Sequence, residues 1–131
     1  MMEAIDISTS GLVAQRIRMN TIAMNMANID SFNPDGTPYQ RRSVEFQTGS
    51  GARDRSGQGV HVAAIRQEAV YRKEYDPSHP YADADGYVSL PGIDYLTEMT
   101  NMMLASRAYE ANVTAVELSK SMLNSSLRLL G

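Results

Sequence analysis

From Tyr95 to Leu130 the apolar positions recur at alternating steps of three and four. One line reads Met99, Met102, Ser106, Tyr109, Val113, Val116, Lys120, Leu123, Leu127 and Leu130, which puts these side chains on one side of a helix. No Pro or Gly interrupts the stretch. As a helix it would be about 55 Å long, well beyond the usual three turns. Such a helix needs a long partner, and the amino end supplies one. There Ile5, Ser8, Leu12, Gln15, Met19, Ile22, Met26 and Ile29 keep the same steps. A second stripe (Val13, Ile17, Asn20, Met24, Ala27) runs beside the first, and two stripes predict neighbours on both sides. Two helices of a small bundle packed within one chain fit the same pattern.

Between the helices the pattern changes. The first helix is expected to begin near Ala4, with Gly11 inside it costing about 1 kcal/mol relative to Ala. It should fail near Ser31, before the dense turn signal Asn33-Pro34-Asp35-Gly36-Thr37-Pro38. Arg42 to Gln47 alternates as a half-exposed strand does, and Val60 to Ile65 suggests a second strand that continues through Val70 and Tyr71. The Gly-rich run Thr48 to Gly59 joins them as a flexible loop, giving a hairpin that needs something to pack on. Asp76 to Pro80 reads as a rigid, extended connector, and Asp85-Gly86 as a turn before the short run Tyr87 to Leu90. Asp94 stands where the second helix needs its N-cap. The expected fold is mainly α with a small β region. Residues 1–32 form the amino-terminal helix, 33–92 a β-hairpin and loop segment, and 93–131 the carboxy-terminal helix. The two helices form a coiled-coil-like pair, all within one structural unit.

The 131 residues carry a net charge of -3, too weak to argue for nucleic acid or an anionic membrane surface. The charge is unevenly placed, +2 up to Lys73 and -5 from Glu74 onward, which reads first as a solvated surface and second as a basis for head-to-tail contacts. Cysteine is absent, so no disulfide or thiolate metal site is available. The acidic start lacks the basic and apolar segments of a secretory signal, and no apolar run reaches membrane-span length. By these signs alone the chain stays in the cytoplasm and inserts into no membrane.

Candidate chemistry is sparse. Asp83-Ala84-Asp85-Gly86 resembles part of a calcium loop, but Tyr81 and Gly92 fall where its end ligands belong, so an Asp-stabilised turn is the better reading. His61 and His79 lack a second ligand or a nucleophile at working spacing. No enzyme activity, metal or cofactor is expected. Arg41-Arg42 with Arg53 and Arg55 is the one basic concentration, suited to a solvated loop or to an acidic neighbouring subunit. Nine methionines, mostly on the helices, fill cores and also suit interfaces between non-identical neighbours. Asn20, Asn25 and Asn28 are costly inside a helix and fix register where they find a hydrogen-bonded partner. On patterning alone, a cytoplasmic helical adaptor or chaperone with a β-rich insertion competes with a structural subunit.

Four segments carry a resemblance. They are Ser10 to Asn28 (SGLVAQRIRMNTIAMNMAN), Pro38-Tyr39-Gln40-Arg41-Arg42, His79-Pro80 through Ala82-Asp83-Ala84-Asp85-Gly86-Tyr87-Val88, and Ala105 to Val113 (ASRAYEANV). Together they resemble the flagellar basal-body rod proteins, over nearly the whole chain, and in particular the short proximal-rod members. Tyr81 and the segment Pro91 to Tyr95 depart from that pattern, and the sixty middle residues leave no room for the large domain of longer relatives. The resemblance implies a structural subunit of the rod that carries torque from motor to hook. It implies terminal helices packed in concentric layers, and a periplasmic location in the basal body reached without a cleaved signal. Implied partners are further copies, other rod subunits, the rod-to-MS-ring adaptor and the flagellar type III export apparatus. Subunit packing would then fall to Leu12, Gln15, Arg16, Met19, Asn20, Ile22, Ala23, Asn25, Met26 and Asn28 on the first helix. On the second it would fall to Met99, Met102, Ser106, Arg107, Tyr109, Asn112, Val113, Val116, Leu123 and Leu127.

Overall fold

The computed structural model describes residues 2–49 and 58–131. In order, the elements are helix α1 (Met2–Ala27), strands β1 (Arg41–Thr48), β2 (Val60–Glu68), β3 (Tyr71–Tyr75) and β4 (Tyr87–Pro91), and helix α2 (Tyr95–Leu130). Each helix boundary has a local cause. Asp94 caps α2 by accepting from the Leu96 N–H at 3.2 Å and the Thr97 hydroxyl at 2.8 Å, and the Gly131 N–H closes the other end on the Leu127 carbonyl. The first helix starts at Met2, ahead of the expected Ala4, and stops at Ala27, short of the expected Ser31. At that end the Asn28 N–H is shared between the Met24 and Asn25 carbonyls, and the Asn28 side-chain amide also donates to the Met24 carbonyl at 2.7 Å. The turn that follows is closed by Asn33 N–H to Thr37 carbonyl (2.7 Å) and Tyr39 N–H to Ser31 carbonyl (2.9 Å). Within it the Asp35 carboxylate accepts from the Thr37 hydroxyl and N–H, which holds its pKa below the ordinary value.

The helices pack against each other and run antiparallel. A side chain at Gly11 would strike Asn112, and Ile22 shares a cavity wall with Asn101, so eleven residues forward on α1 correspond to eleven back on α2. Carried to the end, this register sets Met2 level with Ser121. Met122 to Leu130 therefore reach about 14 Å past the end of α1.

The most buried positions of α2 lie one residue off every second position of the expected seam. Glu98 and Ala105 are buried and Asn112, Ser119 and Ser126 half-buried, at intervals of seven, whereas Met99, Lys120 and Leu127 are exposed. Met102, Tyr109, Val116 and Leu123 of the expected seam are half-buried. Short side chains let two backbones approach, and Gly11 and Ala14 on α1 provide the matching small surface. Close approach places the small residues between the helices and turns the larger ones outward.

Two antiparallel ladders lie between the helices where one hairpin was expected. β1 pairs with β2 through a bulge between Glu45 and Phe46, and this hairpin packs on α1. The expected loop between them falls largely on residues 50–57, outside the described residues. β3 pairs with β4, Tyr71 opposite Pro91 and Tyr75 opposite Tyr87. Tyr71-Arg72-Lys73-Glu74-Tyr75 carries no apolar alternation, so nothing in the pattern marks it as a strand. The expected extended connector turns instead. The His79 N–H reaches the Asp76 carbonyl and the Asp76 carboxylate accepts from the Ser78 N–H and hydroxyl. Gly86, at φ 84°, makes the tight turn into β4, and the Asp83 carboxylate accepts from the N–H groups of Asp85 and Tyr87. The core is small and gathers at this end: Tyr39, Val88, Leu90 and Ile93 with Ile22, Ala14 and Ala105 from the helices.

Candidate functional site

The surfaces available to other molecules are set by what the fold keeps for itself. On α1, Leu12, Gln15, Met19, Met26 and Asn28 are half-buried and Ile22 buried, while Arg16, Asn20 and Ala23 stand exposed. Val13, Met24 and Ala27 of the second stripe are exposed with them, and of that stripe Ile17 alone is half-buried. On α2, Met102, Ser106, Tyr109, Asn112, Val113, Val116 and Leu123 are half-buried, whereas Met99, Arg107 and Leu127 face outward. Met103, Leu104, Leu118 and Met122 widen that outward face, and Leu129 is 88 % exposed beyond the end of α1. The chain thus carries two apolar helix faces that its described residues leave uncovered.

Asn25 is fully buried, with no accessible surface. Its Nδ2 donates to the Arg42 carbonyl at 2.7 Å, and its Oδ1 accepts from the Arg42 N–H at 2.9 Å and from the Tyr39 hydroxyl at 3.4 Å. This fork pins the end of α1 to the first turn of β1. Asn28 is turned back on its own helix, and Asn20 is exposed.

A buried ion pair that sequence reasoning missed lies beside the fork. Glu98, 1 % exposed, accepts from the Arg41 Nε at 2.5 Å, and the Arg41 Nη1 reaches Glu68 at 3.0 Å. Burial works against the charge of Arg41, but the hydrogen bonds and charges of Glu98 and Glu68 outweigh it and hold its pKa above the ordinary value. The pair ties α2 to both strands of the β1–β2 hairpin. A second cation, Arg72, donates to Asp30 at 2.5 Å and to the carbonyls of Ile29 and Pro91, tying β3 and β4 to the end of α1. The aromatic rings of Phe32, His79 and Tyr81 stack within 6.0 Å of one another under the same turn.

The Asn25 fork, the Arg41 ion pairs and the Arg72 contacts each hold one element against another. Among the described residues, no three His, Asp or Glu come together where they could hold a metal ion. No described helix is long and apolar enough to cross a membrane.

Comparison with known proteins bears on the same surfaces. The family model described as flagellar basal body rod FlgEFG protein C-terminal matches residues 84–129, which hold β4 and most of α2. A flagellar basal-body rod protein FlgC of Aquifex aeolicus is 48 % identical over 117 residues, 89 % of this chain and 87 % of that one. The protein of that name from Salmonella typhimurium is 42 % identical over 131 residues, 98 % of this chain and 97 % of that one. That from Bacillus subtilis is 36 % identical over 146 residues, covering 96 % and 95 %.

Proposed function

Because this chain belongs to the family of flagellar basal-body rod proteins FlgC, we propose that its two uncovered helix faces are the surfaces through which rod subunits join. The chain is a structural subunit of the basal-body rod. Its work is mechanical: it sits in the proximal rod and passes torque from motor to hook, with no residue performing catalysis. The observation that carries this reading is the reach of the similarity, which spans both terminal helices and all that joins them. The helices pack in a coiled-coil-like pair, and their outward stripes, Val13, Met24 and Ala27 on one and Met99, Met103 and Leu127 on the other, meet neighbours. Contacts between unlike faces do not close on themselves, which is what extends a subunit into a tube. Its partners are other copies and other rod subunits, the adaptor to the MS ring, and the export apparatus that delivers it.

Removal of Asp94 to Gly131 from the chromosomal copy tests this. Loss of swimming is expected, together with loss of the chain from purified basal bodies. A strain so truncated that swims normally, or an intact chain absent from basal bodies, overturns the reading.

A further inference from the structure

A cavity of about 160 Å³ opens where α1, β1 and α2 meet, walled by Arg18, Thr21, Arg42, Ser43 and Asn101. Arg41 also reaches this wall, but Glu98 and Glu68 take up its charge. Arg18 and Arg42 have no carboxylate partner among the described residues. The Nε of Arg42 is buried without any hydrogen-bond acceptor, while its guanidinium carbon lies 5.7 Å from the Tyr39 ring centre. A buried N–H of a charged group without an acceptor is costly, and a carboxylate is the group that best satisfies a guanidinium fork. The cavity has room for roughly five waters or for the end of one acidic side chain.

We propose that this cavity receives a carboxylate from a second copy of the chain, delivered by the outward stripe of α2 that carries Glu110 and Glu117. Both are exposed and unpaired among the described residues, and they lie seven apart on one line of the helix. The charge of the chain is divided in the same sense, positive in the half that supplies the cavity's arginines and negative in the half that carries α2. Lys120 and Arg128 flank Glu117 further along the helix, so the fit is to single side chains and not to a broad acidic surface. The contact joins unlike faces, as a tube requires, and rests on the rod reading above.

The absence of cysteine gives a direct test. Asn101→Cys and Glu117→Cys are introduced together. The two positions are sixteen residues apart on α2, about 24 Å along its axis, so they can form a disulfide only between copies. Mild oxidation of purified basal bodies should give cross-linked dimer about tenfold above either single variant. In parallel, Arg18→Glu with Arg42→Glu should lower the yield of rods about tenfold or more, since like charges then meet. Adding Glu110→Arg and Glu117→Arg should restore most of that yield, which also shows that the reversed chain folds. Rods that contain the doubly substituted chain yet give no dimer overturn the proposal and leave rod membership standing. Loss of rods without restoration by the swap overturns the second copy as the source of the carboxylate.

Discussion

Asn25 pairs with a backbone and Glu98 with a side chain, and the two differ in what a substitution leaves behind. Replacing Asn25 by Leu improves helix propensity by a few tenths of a kcal/mol. It also leaves the N–H and C=O of Arg42 buried without their partner, at about 1–3 kcal/mol each. Asn25→Leu is therefore expected to lower stability by about 2–5 kcal/mol, read by denaturant unfolding followed by circular dichroism. An unchanged midpoint would show that the fork holds nothing. Glu98→Ala leaves the half-buried Arg41 charge with Glu68 alone and should cost about 1.5–3 kcal/mol. The double variant Arg41→Met, Glu98→Met removes both charges and should recover most of that loss. If the double variant is as unstable as the single one, packing and not charge explains Glu98. Asn25 was conspicuous in the sequence because Asn is a poor interior helix residue, yet its partner, seventeen positions away, left no local mark. Glu98 carried no signal at all, since a Glu in the first turn of a helix is ordinary.

The ends of the helices were legible because their causes are local. Asp94 caps its own helix, and the Pro-rich turn after α1 closes within nine residues. The burial of Glu98, Ala105, Asn112 and Ser119 beside the expected seam was not, because Met99 and Leu127 have the composition of a seam while Ala105, Asn112 and Ser119 do not. Backbone distance decides between them, and it is set by the pair of helices and not by either alone. Gly11 tests this. A Cβ there would lie 2.8 Å from the Asn112 amide nitrogen, the end of a side chain that can swing aside. Gly11→Ala should thus be nearly neutral, its helix gain of about 1 kcal/mol offset by moving Asn112. In an Asn112→Ala background the same substitution should gain about 1 kcal/mol. Gly11→Leu should force the helices apart and cost about 1–3 kcal/mol. Thermal melts of the four variants decide it, and equal behaviour of Ala and Leu would refute close approach.

Across the molecule, burial is graded along the helix pair. Ile22, Asn25, Glu98 and Ala105 are buried at the sheet end, where both hairpins and the ion pairs add their contacts. Beyond Gly11 towards the far ends no residue of either helix is buried, and past Met122 no described residue of α1 lies beside α2. Helices draw most of their stability from packing, so the pair should open from its far end. On dilute chain, amide exchange should be slow from Arg18 to Asn25 and from Met102 to Ala105. It should be fast from Ile5 to Ser8 and from Leu123 to Leu130. Equal protection along both helices would mean that the pair is closed over its whole length before any subunit joins it. The apolar excess that the sequence assigned to both helices is real, and it lies on outward stripes and on the overhang.

Arg42 turns its N–H and C=O away from β2, towards the side of β1 that no described strand covers. An uncovered edge of this kind is where foreign strands add on and aggregation starts. The carboxamide of Asn25 meets that edge as the peptide group of a neighbouring strand would, giving one donor and one acceptor. The hairpin therefore begins with its exposed margin already occupied. A rod subunit with uncovered apolar helix faces can thus be made without its strands zipping together first.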